Sequence, residues 1–251
     1  MEIPAEIIFT ADLLETCLSA DILLFAVPSM FVRKAAESVS TYIKPEQIIV
    51  DVAKGIEQET LMTMSEVISD ELQREGKKNH VVALSGPTHA EEVAKDIPTT
   101  IVAAHQDITI AEKIQEVFTN SAMHVYTNTD VKGVELCGAF KNIIALASGI
   151  ISGFGFGDNI KAALITRGLS EIKRLGLPMG CLPDTFFGLA GMGDLIVTAT
   201  SKHSRNNRCG YLIGQGYSTE QAIKQVGMVV EGVNVIPAAM QLAKNTKWRF
   251  R

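Results

Sequence analysis

The residue with the clearest chemical potential is Lys141. It stands in GVELCGAFKNIIALASGIISGFGFG (133–157) as the one charge between Glu135 and Asp158, with Asn142 directly after it. The apolar residues of this stretch fall on every side of a helical wheel, so a helix here is expected to be buried all round. Gly138, Ala139, Ala145, Ala147 and Gly149 are small enough to let other backbones approach. An ammonium in such surroundings loses most of its hydration, which is costly unless partners or a ligand compensate. Either Lys141 snorkels out along its own stem, or it is a titrating group able to exchange a proton with a substrate.

Further candidates lie along the chain. Lys54 closes the run IIVDVA and is followed by Gly55, which frees the backbone to turn; it is a loop charge or a ligand contact at a strand end. SGPTHAEEV (85–93) reads as a Gly86-Pro87 turn and a helix start, with Thr88 and Glu91 as a capping box. The free N–H groups of such a start also receive anions. In GLAGMGDLIVTATSKHSRNNRCGYLIGQG (188–216), glycines around Met192 deliver Asp194 to the start of an apolar segment. Ser204 can cap a following helix whose first turn holds Arg205, Asn206 and Arg208. Cations there oppose the helix dipole, so the arrangement suits a docked phosphate, or else RNNR is a polar loop. Glu231, set between apolar residues in MVVEGV (228–233), is a hydrogen-bond acceptor in a helix turn or a ligand contact.

These residues need a frame. DILLFAV (21–27), IIVDVA (48–53), VVALSG (81–86), TTIVAA (99–104) and MHVYTN (123–128) read as strands. Helical patterns lie between them at Phe31–Tyr42, Thr60–Arg74, His89–Lys95 and Ile108–Thr119. Strands apolar on both faces and separated by helices predict an α/β architecture of the dinucleotide-binding sort, a mostly parallel sheet covered on both sides, with the later strands free to run antiparallel at an edge. From Asp130 onward only helical runs and Gly-rich loops follow, including Asp158–Leu177, Gln221–Val226 and Val233–Ala243. Two units are expected, 1–128 and an all-helical 129–251. Ligands of open parallel sheets bind beyond the carboxyl ends of the strands, where Lys54 and SGPTHAEEV lie.

Composition removes whole classes of function. With a net charge of −5 and a pI near 5.6, the chain advertises no basic face for nucleic acid. Cys17, Cys137, Cys181 and Cys209 form no CxxC pair, and the histidines show no HxxxH or HExxH spacing, so no disulfide framework and no metal site is expected. Buried thiols fit a reducing compartment, and the acidic N-terminus lacks the pattern of a signal peptide. The best membrane candidate, Asn142–Gly157, is shorter than the ~18 apolar residues of a span. A soluble, cytoplasmic chain is the expectation. No GxGxxG occurs; GFGFGD (153–158) follows a helix rather than a strand and fails as a phosphate loop.

VAKG, SGPTHAEEVA, GAFKNIIALASGI, GFGDN, ALITRGLSE, GLAGMGDLIVTATS, SRNNR and VVEG, in this order and spacing, closely resemble the bacterial type of NAD(P)-dependent glycerol-3-phosphate dehydrogenase. The resemblance implies interconversion of sn-glycerol 3-phosphate and dihydroxyacetone phosphate with NAD or NADP, serving glycerophospholipid synthesis. It implies Lys141 as the proton-transfer group, with Lys54 and Asp194 beside it. Lys54, Gly86, Thr88, Lys141, Asn142, Asp194, Thr198, Ser204, Arg205 and Asn206 are then the expected substrate contacts, and Lys54, Ala90, Arg205, Val229 and Glu231 the cofactor contacts. A homodimer is a possible assembly. Relative to the family pattern, this chain begins after the βαβ unit that bears the Gly-rich loop, and its C-terminal helices are cut short at WRFR. The first unit is therefore expected to be a partial Rossmann-like sheet, exposing an apolar edge at 21–27. A non-catalytic remnant or phosphate-ester binding module is the alternative of another class, and another 6-phosphogluconate-like dehydrogenase a further one.

Overall fold

The computed structural model describes residues 3–245; the expected C-terminal cut at WRFR (248–251) lies outside them. After a short helix, α1 (Leu13–Ser19), five strands alternate with helices: β1 (Ile22–Phe25), α2 (Val32–Val39), β2 (Ile48–Asp51), α3 (Met64–Arg74), β3 (Val81–Ser85), α4 (Ala90–Val93), β4 (Thr99–Ala104), α5 (Ile108–Phe118) and β5 (Met123–Asn128). The helices that follow are α6 (Val131–Gly153), α7 (Asp158–Gly176), α8 (Asp194–Thr200), α9 (Arg205–Gly214), α10 (Thr219–Val226) and α11 (Glu231–Asn245).

The strands lie side by side in chain order. β1, β2 and β3 are parallel, β4 runs antiparallel to β3, and β5 is parallel to β4. Alternation along the strands supplies both faces of the sheet. Ile49 and Val81 pack with Val32, Val67 and Ile68 from α2 and α3. Val50 and Val82 point the other way, onto Ile110 and Ile114 of α5. The reversal at β4 has a local cause. Residues 86–98 contain only the single turn α4, too little to carry the chain back along a sheet face, so β4 starts at the end where β3 finished. The loops after β1, β2 and β3 thus gather at one end of the sheet. β1 forms the outer edge, where Leu24 is 49% exposed, in line with the expected apolar edge.

Several element boundaries depart from expectation. The helix expected at Thr60–Arg74 starts at Met64, where the Glu66 carboxylate reaches back to accept from the Thr63 backbone N–H (2.9 Å). Leu61, just ahead of it, has φ of +61°. The helix expected at Phe31–Tyr42 is a 3₁₀ turn, Ser29–Phe31, followed by α2. The capping box expected at Thr88–Glu91 is absent. Thr88 Oγ1 donates instead to the Gly86 carbonyl (3.2 Å), and α4 starts after His89 without a side-chain cap.

α6 runs through the middle of the helical part and begins earlier than the membrane candidate Asn142–Gly157. At 23 residues it is long and apolar enough to cross a bilayer by composition, yet 72% of its most apolar window is buried within the fold. Its neighbours explain the apolar wheel: Leu136 and Phe140 pack with Leu169, Phe186, Leu195 and Val235. Against α9 the contact is backbone on backbone. A Cβ at Gly149 would lie 2.0 Å from the Asn207 carbonyl oxygen, and one at Gly210 would lie 1.9 Å from that of Leu146. Gly149→Ala should therefore force α6 and α9 apart and lower stability by about 2–3 kcal/mol, measurable as a reduced urea midpoint.

Candidate active site

Three chain segments carry candidate groups to the end of the sheet where the β1–β3 loops gather. Lys54 follows β2, Gly86 follows β3, and Lys141 lies midway along α6. The fourth, Asp194, is the first residue of α8. It is delivered there by a π-helical turn, Leu189–Gly193. That turn requires glycine at 191, where a Cβ would lie 2.2 Å from the Phe186 carbonyl oxygen.

Asp194 is fully buried and joins both lysines. Its Oδ2 accepts from Lys54 Nζ at 2.7 Å, and its Oδ1 accepts from Lys141 Nζ. Lys54 also donates to the Gly86 carbonyl (3.0 Å). Lys141, 5% exposed, donates to Thr198 Oγ1 (2.7 Å), and the Thr198 hydroxyl donates back to the Asp194 carbonyl (2.7 Å). The snorkelling alternative for Lys141 is thereby excluded: the amine stays inside.

Burial is the main cause that lowers the Lys141 amine, to about 7; Asp194 opposes the shift and the Lys54 ammonium adds to it. For Asp194, burial pushes the carboxyl up, but the Lys141 and Lys54 ammoniums outweigh it and hold the group below the usual carboxylate range. Nearby, burial drives the Asp51 carboxyl at the end of β2 far above its ordinary range, with Glu135 adding to the shift. Glu135 itself is raised by burial and accepts from the Ser65 backbone N–H and hydroxyl (2.8 and 2.5 Å). Those two bonds fasten α6 to the start of α3.

A second polar cluster continues from Lys141. Asn206 Nδ2 donates to Asn142 Oδ1 (2.9 Å), and Asn206 Oδ1 accepts from the Gly232 backbone N–H (2.8 Å). Ser204 caps α9, accepting from the Asn207 N–H (3.2 Å), so RNNR is helical and not a loop. Arg205, in the first turn, is exposed and makes no ion pair among the described residues.

Of the residues expected to line a cofactor, Ala90 is exposed, Val229 is half-buried beside the start of α11, and Glu231 is the first residue of that helix. Glu231 grips the loop after β1: Oε1 accepts from the Ser29 N–H (2.9 Å) and Oε2 from the Ser29 hydroxyl (2.6 Å). Sequence reasoning missed Ser29; its one signal was its place just after Pro28 at a strand end. The anchored Glu231 carboxylate thus stands at the loop after β1, at the strand end of a parallel sheet where ligands of open α/β sheets bind, a location that fits a dinucleotide. Among the described residues no cluster of three or more His, Cys, Asp or Glu could hold a metal ion.

Known proteins share this sequence over most of its length. The model of the NAD-dependent glycerol-3-phosphate dehydrogenase N-terminus matches residues 1–111, and that of the C-terminus of the same enzymes matches residues 130–251. The chain belongs to this family. A protein of Lactobacillus delbrueckii subsp. bulgaricus named glycerol-3-phosphate dehydrogenase (NAD(P)+) 2 is 65% identical over 245 residues, covering 97% of this chain and 73% of that protein. One of Clostridium acetobutylicum with the same name, without the final number, is 53% identical over 223 residues, covering 89% of this chain and 66% of the relative. The crystal structure of glycerol-3-phosphate dehydrogenase from Coxiella burnetii superposes with a TM-score of 0.91 at 33% identity, over 96% of this chain and 73% of that one.

Asp194→Asn in this family member should lower the Lys141 titration midpoint below about 7, since Asp194 is the group that raises it. Unfolded, Lys141 keeps its proton into the ordinary lysine range; folded, it gives the proton up earlier, so stability rises with pH between the two values. Removing Asp194 widens that window downward. The variant should lose more stability near pH ~6 than near pH ~9 in paired denaturant titrations.

Proposed function

We propose that this chain interconverts sn-glycerol 3-phosphate and dihydroxyacetone phosphate with NAD or NADP, with Lys141 as the proton-transfer group at the C2 oxygen. The observation that carries the reading is a buried amine, lowered to about 7, hydrogen-bonded to Asp194 and Thr198. Family membership supports the reaction, and the geometry supports the roles. When bound, the nicotinamide supplies or accepts the hydride.

The chain's own residues then divide the remaining work. In oxidation, neutral Lys141 takes the alcohol proton; in reduction, its ammonium gives that proton to the carbonyl oxygen. Lys54 places its ammonium beside the reacting oxygen and adds to the burial that lowers Lys141. Asp194 holds both amines in place. Asn142, Asn206, Thr198 and the Gly86–Thr88 loop position the hydroxyl-bearing end, while Ser204, Arg205 and the start of α9 hold the phosphate. Glu231, Val229 and Ala90 flank the nicotinamide. The sheet-bearing residues 1–128 serve the cofactor and the helical residues 129–251 the substrate. All four thiols are buried and raised by that burial, which supports a reducing, cytoplasmic setting. The same reading places the product in glycerophospholipid synthesis and takes a homodimer as the working assembly.

The pH response has opposite signs in the two directions. The rate of glycerol 3-phosphate oxidation should rise with pH through about 7, as Lys141 loses its proton, and the rate of dihydroxyacetone phosphate reduction should fall over the same range. Lys141→Ala should abolish both while the circular dichroism spectrum stays unchanged. Retained reduction in that variant would sink the assignment. Arg205→Ala should raise KM for the phosphate ester about tenfold or more with a smaller change in kcat; an unchanged KM would remove Arg205 from the site.

A further inference from the structure

Lys54 is held from two directions. Its ammonium is fixed by Asp194 and the Gly86 carbonyl. Its stem lies against α6 at Gly138, where an added Cβ would come within 3.4 Å of Lys54 Cγ and 3.1 Å of Ser85 Oγ. The backbone directly after it, at buried Gly55, packs on Ser29 of the β1 loop. A Cβ at Gly55 would lie 2.3 Å from Ser29 Cβ and 2.6 Å from Ser29 Oγ. Ser29 cannot yield to that contact, because both of its hydrogen-bond donors are committed to Glu231, 202 residues further along.

We propose that Ser29 is a positioning residue for Lys54: through its paired hydrogen bonds to Glu231 it braces Gly55 and so sets the distance between the Lys54 and Lys141 amines. The bracing runs Glu231, Ser29, Gly55, Lys54, Asp194, Lys141: hydrogen bonds at Glu231–Ser29, Lys54–Asp194 and Asp194–Lys141, close packing at Ser29–Gly55, and the peptide bond between Gly55 and Lys54. It rests on the reading of Lys141 as the proton-transfer group and adds a residue that this reading does not need. The charges that face Lys141 are Asp194 and Lys54. If the brace loosens, Lys54 recedes, its effect on Lys141 weakens, and Asp194 is left more fully to Lys141. Both changes favour the protonated amine.

The test follows the lysine Cε and Hε resonances of the full chain, labelled with ¹³C-lysine, through a pH titration of wild type and Ser29→Ala. Lys141 is assigned by its absence in Lys141→Arg. Ser29→Ala keeps the backbone N–H bond to Glu231 and removes the hydroxyl bond. The Lys141 midpoint is expected to rise by about half to one pH unit, with an about two- to fivefold loss of neutral amine at pH ~7 and a matching fall in kcat for oxidation at unchanged KM for the phosphate ester. Gly55→Ala is expected to raise the midpoint further. Adding Ser29→Gly clears the clash, since the Ser29 Cα would then stand 3.8 Å from the new methyl, and should return the value to that of Ser29→Gly alone. A purely structural clasp would lower Tm in Ser29→Ala and leave the Lys141 midpoint where it is, which overturns the proposal. A wild-type Lys141 that titrates like an ordinary lysine overturns the functional reading and this proposal with it, a result distinct from an unshifted variant.

Discussion

The structure depends on one carboxylate shared by two amines. Asp194 has no contact with solvent, and a lone ion in that position would be unstable by several kcal/mol. With Lys54 on one oxygen and Lys141 on the other, the negative charge is matched, and one positive charge is left over. Burial, with that surplus adding to it, brings Lys141 down to about 7. The shared carboxylate also makes the site a joint between the two parts of the chain, because Lys54 arrives on the sheet and Lys141 and Asp194 on the helices.

Around this joint, rigid elements take the place of flexible loops. Asp194 heads a helix, Lys141 lies mid-helix, and Asn206 sits in the first turn of another, held by Asn142 and the Gly232 N–H. Only Lys54 and the Gly86–Thr88 segment come from loops. Lys54 is tethered at its ammonium, its stem and the backbone beyond it, and the Gly86 carbonyl takes bonds from both Lys54 and Thr88. Few of these side chains need to move before substrate arrives, which is the condition for orientation to contribute to rate.

Much of this was legible in the chain. A single charge in an all-apolar helical wheel marked Lys141, and runs apolar on both faces marked β2 and β3, because burial on both faces favours apolar side chains there. What escaped were the relations between distant segments. Nothing local ties Asp194 to Lys54, 140 residues away, or Ser29 to Glu231. Where two local bonding schemes compete, the sequence pattern is also silent. Thr88 had a capping box within reach, but its hydroxyl bonds to Gly86 instead. At Thr63, ahead of an equally ordinary glutamate, the glutamate does reach back to the backbone N–H. α1 was missed because its leucines 13, 14 and 18 remain exposed and give no buried stripe to read.

The glycine seam between α6 and α9 has a consequence for selectivity. With backbones in contact at Gly149 and Gly210, neither helix can slide along the other without collision. In the proposed roles, one helix bears the group at the reacting carbon and the other the grip on the ester's far end. Their separation is a caliper set by main-chain atoms, and a molecule one carbon longer or shorter meets jaws that do not adjust.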